Sequence, residues 1–170
     1  MDNTFLLQTR RTDYLAKLQK ITIPLFVEGI YSIYHNVKKN NKVRKFLLKE
    51  FQQSMVDVSR WSQEIIVNEH MRFKRTSSVL DKLIKSIFEL DINLKQDLCL
   101  NAKDFIPEPW DFIHQSYLNI ARSLWKQPFL LYDVDVDKLV LQQNKIKIEK
   151  MVARSIQDTF TQFIPLDIEH

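Results

Sequence analysis

Glycine is almost missing from this chain: Gly29 is the only one among 170 residues. Tight hairpins and Gly-rich phosphate loops need residues at positive φ, so a β-rich fold is not expected. A P-loop and a dinucleotide-binding GxGxxG turn are excluded on the same ground, because both use several glycines for close backbone approach. Cysteine is equally scarce. Cys99 stands alone, so no intramolecular disulfide can form, and no Cys/His spacing suits zinc. A reducing intracellular setting is the simpler expectation. No apolar run approaches the roughly 20 residues that span a bilayer. The opening "MDNTFLLQTRR" lacks a cationic start followed by a long apolar region, so no secretory leader is expected.

What is present fits a helical domain. A length of 170 residues suffices for one core, and 45% apolar with 11% aromatic residues argues against disorder. The net charge of +4 is modestly basic, compatible with an anionic partner without requiring one. Residues 1–11 read as an N-terminal arm, followed by a helix over 12–39 with Asp13 at its N-cap and a kink or break at Pro24. Residues 43–74 read as one long helix, since Val43, Leu47, Phe51, Met55, Val58, Trp61 and Ile65 recur at gaps of four and three. "TSS" at 76–78 offers caps, with Ser78 and Asp81 at capping-box spacing, before a helix carrying Leu80, Leu83, Ile84, Ile87 and Phe88 on one stripe. Residues 91–106 have no helical period and leave room for a short extended segment. Pro109 suits a first helical turn, Trp110, Ile113, Tyr117, Ile120 and Leu124 form a stripe, and Pro128 ends it. An extended "FLLYDVDVD" then leads to a last helix from about Lys138 to Ile164, with residues 166–170 as a C-terminal end. The expected fold is an all-α, single-domain bundle of five or six helices with a kinked first helix.

Several groupings invite a chemical reading. Asp111 and His114 stand at the i, i+3 spacing of bundle di-metal sites, but no second copy of the motif exists. Placing His114 beside the core and Asp111 near a helix N-terminus accounts for both. Glu69 and His70 are adjacent, so their side chains diverge. "DVDVD" at 133–137 resembles the start of a calcium loop, yet that loop needs glycine sixth and glutamate twelfth, where this chain has Lys138 and Asn144. Asp137 as the cap of the last helix is the better reading. No Ser-His-Asp or Cys-His arrangement can be assembled from the sequence. No cofactor, resident metal, small-molecule substrate or enzymatic activity is expected.

Two basic clusters remain: Lys38, Lys39, Lys42, Arg44 and Lys45, then Arg72, Lys74 and Arg75. On one unbroken helix they would lie roughly 45 Å apart, which weakens the case for one continuous nucleic-acid groove, though a curved or dimeric partner could still use both. A nucleic-acid-associated or late regulatory role through these clusters is nevertheless the alternative function. A membrane surface is a further possible anionic partner. The aromatic group Trp125, Phe129, Leu130 and Tyr132 is the candidate protein-partner surface, since aromatics dominate interface energetics. Burial of all four in the monomer is the competing expectation, above all for Leu130 and Phe129.

The order of segments resembles a family of small, largely uncharacterised helical proteins of the nucleocytoplasmic large DNA viruses, iridovirus- and asfarvirus-like groups among them. The resemblance runs from about Ile30 to Pro165. It rests on a "FIH…Y…AR.LW..P.L" pattern, matched by Phe112, Ile113, His114, Tyr117, Ala121, Arg122, Leu124, Trp125, Pro128 and Leu130. A closing "I..TI..LLP" pattern is matched loosely by Ile156, Thr159, Phe160, Phe163 and Pro165. These are packing motifs without chemistry. The resemblance implies a minor capsid or virion-associated component that packs between larger capsid proteins. Its place would be the virion, and the host cytoplasm during assembly. The chain stops four residues after Leu166, leaving little room for a function carried by a tail.

Overall fold

The computed structural model describes residues 3–41, 43–95, 104 and 106–164, and these form six α-helices with no strand. The helices are α1 (Asn3–Asn40), α2 (Leu47–Asp57), α3 (Gln63–Thr76), α4 (Leu80–Leu94), α5 (Pro109–Lys126) and α6 (Lys138–Phe163). Short 3-10 turns occupy Arg44–Phe46, Val58–Arg60 and Pro128–Leu131. The long helix α1 packs most extensively against α4, α5 lies on α6, and α2 and α3 both lean on α5.

The boundaries depart from expectation in instructive places. Residues 3–11 are the first turns of α1 rather than an arm, and Asp13 lies inside that helix instead of capping it. The helix also runs through Pro24 without a break. Pro24 and Lys20 are both exposed, so the carbonyl that loses its donor stands on the solvent side. The expected single helix over 43–74 is two helices. Trp61 adopts an extended backbone at ψ 134°, and Ser62 caps α3 by accepting from the Ile65 N–H. Leu47, Phe51, Met55 and Val58 are buried as the stripe requires, whereas Val43 and Ile65 at its two ends are exposed. The separation of the basic clusters along one helix therefore lapses.

Ser78 does not cap α4, whose N-cap is Val79, and residues 91–94 are its last turn rather than extended. Residues 96–103 and 105 of the expected extended segment, and the C-terminal end at 166–170, lie outside the described residues. Residues 129–131, read as the start of an extended segment, lie instead in the 3-10 turn Pro128–Leu131. Pro109 occupies the first turn of α5, and Asp137 caps α6 by accepting from the Leu139 N–H, both as expected.

The core is continuous and strongly aromatic. Phe26 meets Phe73 and Tyr117 edge-on, each at 4.8 Å between ring centres, while Phe88, Phe112 and Phe160 form a second group. Such pairs contribute about 0.5–1.5 kcal/mol beyond the area they bury. A polar seam fixes how α5 lies on α6. Ser116 and Asn119 donate to Thr159 Oγ1, and Asn119 and Gln162 exchange amide hydrogen bonds at 2.9 and 3.1 Å. Because these groups satisfy one another, sliding either helix by a turn would orphan several of them at once.

Candidate functional site

The C-terminal half of α5 and the facing side of α2 enclose an open, mostly apolar groove of about 410 Å³. Met55, Val56, Leu118, Ala121 and Trp125 supply its apolar walls, and Arg122 and Lys126 are the charged residues in its lining. Trp125 remains 48% exposed and Val56 41% exposed, so both present apolar area to solvent. The end of α5 is pinned by Gln52, which donates to the Trp125 carbonyl at 2.8 Å.

The four aromatic and aliphatic residues expected to meet a partner divide at Pro128. The 3-10 turn there rolls Leu130 and Leu131 into the core, leaving Phe129 53% exposed. Leu130 is therefore a packing residue, with its neighbour Tyr132 half-buried against the same core. Trp125 and Phe129 are the two that face outward. Val56 and Leu118 were not singled out by sequence. Val56 falls one residue outside the buried stripe of α2, an apolar side chain left 41% exposed, and that position was the available signal.

Four of the eight side chains in the basic clusters are paired within the molecule. Lys38 donates to both carboxylate oxygens of Asp133 at 3.1 Å, and Arg44 faces Asp135 at 3.7 Å. Lys74 lies 3.5 Å from Asp81. Arg72 donates to Glu69 at 2.7 Å, to the Leu25 carbonyl at 2.8 Å and to the Tyr117 hydroxyl at 3.2 Å. Among the described residues Lys39, Lys45 and Arg75 form no ion pair; Lys42 lies outside them. The two clusters do not present a continuous unpaired cationic surface.

The other chemical groupings resolve into structural contacts. His114 donates from Nε2 to the Val58 carbonyl at 2.8 Å and stacks on Trp61, while Asp111 is exposed. Glu69 and His70 diverge: Glu69 takes Arg72, and buried His70 pairs with Asp81 at 2.7 Å beneath Trp110. The three carboxylates of 133–137 go to three different tasks, since Asp133 holds Tyr34 and Lys38, Asp135 faces Arg44, and Asp137 caps α6. Among the described residues no group of three or more His, Cys, Asp or Glu side chains is placed to hold a metal ion.

The electrostatics of the interior follow from these contacts. Burial, then the hydrogen bond to Asp133, pushes the Tyr34 phenol well above its ordinary value. Burial would raise Asp133, but the hydrogen bonds from Tyr34 and Lys38 outweigh it and hold the carboxyl below its usual range. Tyr117 is raised strongly, first by burial and then by Glu69. No helix among the described residues is long and apolar enough to cross a membrane.

The chain belongs to a family of unknown function, DUF5764, whose model matches residues 4–132. The match takes in α1 to α5 with both sides of the Trp125 groove, and stops before α6. No curated protein and no solved structure matches the chain.

Proposed function

We propose that this protein is a non-enzymatic interaction module whose α2–α5 groove docks a partner segment over Trp125. The observation that carries the reading is the groove itself: a half-exposed tryptophan in an apolar trough whose charged lining is Arg122 and Lys126. Tryptophan and arginine are the side chains most enriched among residues that dominate binding energy. Two cations without a lining carboxylate favour an acidic partner, because like charges at an interface are costly and opposite ones steer encounter. The matching occupant is an amphipathic helix with apolar residues at i, i+3 and i+4 and carboxylates on its flanks.

The resemblance to small helical proteins of large DNA viruses sets the proposed context: a minor capsid or virion-associated component seated between larger capsid proteins. The alternative, a nucleic-acid-associated factor, is weakened because four of the eight cluster side chains, Lys38, Arg44, Arg72 and Lys74, are paired internally. Trp125→Ala tests the docking reading. The variant should keep its melting temperature within a few degrees and fail to enter particles. Normal incorporation would overturn it. For the alternative, duplex or single-strand binding that falls steeply with salt, and weakens in Lys39→Ala/Lys45→Ala, would transfer the function to the cationic surface.

A further inference from the structure

A second concavity among the described residues is larger than the Trp125 groove. It is a trough of about 760 Å³ between the second half of α1 and the first half of α6. Ile23, Pro24, Val27 and Tyr31 form one wall, with Leu141 and Ile146 on the other. The core contacts of α6 come mainly from Ile148, Val152, Ile156 and Phe160, so its first turns overhang this trough. Ile146 in its lining is 47% exposed, and Leu139 at the start of α6 is 62% exposed.

We propose that this face is a self-association surface, with α6 of one copy lying antiparallel to α6 of a second copy. The charges select that occupant. A two-fold interface brings one patch against itself, so it must carry both signs in complementary positions. The trough carries Lys145 and Glu149 one helical turn apart on α6, and its third charged residue, Glu28 on α1, already faces Arg72 at 3.7 Å. A lysine preceding a glutamate by four residues is the weaker order for a pair within one helix. Among the described residues neither Lys145 nor Glu149 forms an ion pair. An antiparallel two-fold midway between them sets Lys145 of each copy opposite Glu149 of the partner subunit, giving two intermolecular pairs. The Trp125 groove cannot meet itself in this way, because both of its lining charges are positive. The two surfaces share no lining residue, so this inference goes beyond the docking reading and stands without it.

Sedimentation velocity on the full chain over a concentration series tests the proposal, with circular dichroism melting to verify that each variant folds. The wild-type chain is expected to dimerise. Lys145→Glu and Glu149→Lys should each weaken the dimer at least about tenfold, the loss of roughly 1.4 kcal/mol. Combining them reverses both signs at once and should restore the wild-type constant. Ile146→Glu should yield a folded monomer, and Trp125→Ala should leave dimerisation unchanged. A wild-type chain that stays monomeric at its solubility limit overturns the proposal. So does a dimer indifferent to the single charge reversals, or a double reversal weaker than either single one.

Discussion

At the scale of single residues, the lone glycine explains itself through its neighbours. A Cβ at Gly29 would lie 2.1 Å from the Tyr117 hydroxyl, 3.1 Å from its ring carbon and 3.2 Å from Arg72. Tyr117 is fully buried and Arg72 holds both that hydroxyl and the Leu25 carbonyl, so neither can step aside cheaply. Helix propensity alone would favour alanine over glycine by about 1 kcal/mol. Overpacking should win: Gly29→Ala is expected to destabilise the fold by about 1–3 kcal/mol. Adding Tyr117→Phe removes the clashing oxygen and should recover part of that loss, as read from denaturant midpoints. The sequence showed that glycine was rare but not that its missing Cβ makes room for the side chains of Tyr117 and Arg72, because both lie far along the chain.

The titratable residues make a second prediction at this scale. Native Tyr34 and Tyr117 keep their protons after an unfolded tyrosine, ordinarily near 10, has lost its own. The native state then binds more protons, so stability present below pH 10 is lost as pH rises above it. Asp133 works in the opposite sense. Its native carboxyl stays ionised below the ordinary value of 3.8, so its contribution is present above that value and lost as pH falls through and below it. Tyr34→Phe should flatten the alkaline limb of a stability–pH curve, and Asp133→Asn the acid limb. An unchanged slope in either variant would contradict the Tyr34–Asp133–Lys38 contact as the cause.

At the scale of elements, periodicity served well wherever one helix met one wall of core. The stripes of α4 and α5 are buried almost residue for residue, since each of these helices packs one face inward. It failed over residues 43–74, because Val58, Trp61 and Ile65 continue the spacing across a backbone that has already turned extended at Trp61. Spacing reports where apolar side chains fall in sequence, and a break that preserves the count is invisible to it. The caps carry the missing information. Ser62→Ala and Asp137→Ala should each cost about 1 kcal/mol, measured by thermal or urea unfolding, because each leaves a first-turn N–H without its side-chain acceptor. Asp133 and its neighbours were similarly opaque: Lys38 and Asp133 are 95 residues apart, so the basic cluster looked free when read along the chain.

At the scale of the whole molecule, the core is continuous while two grooves among the described residues leave apolar side chains exposed. The α1–α6 trough carries both signs of charge and suits a second copy; the α2–α5 groove carries cations around Trp125 and suits an acidic partner. Trp125 was legible in sequence as an aromatic at the end of a buried stripe beside a proline. The wall opposite it was not, since Val56 joins the site only when α2 folds against α5. A surface whose partner is acidic should also respond to charge. Arg122→Glu/Lys126→Glu is expected to weaken docking while leaving folding intact, because both side chains are exposed and form no ion pair among the described residues. Docking measured at rising salt should weaken more in the wild-type chain than in this variant.

The central claim is that the Trp125 groove seats this protein in a particle. The most direct measurement is stepwise stripping of purified virions, made with either the wild-type chain or Trp125→Ala, followed by quantitative mass spectrometry. The account predicts that the wild-type protein leaves with the shell at a fixed ratio to the major capsid protein, and that the equally stable variant is missing from the particle. Equal incorporation of both chains, retention of the wild type in the nucleoid, or its absence from virions would contradict it.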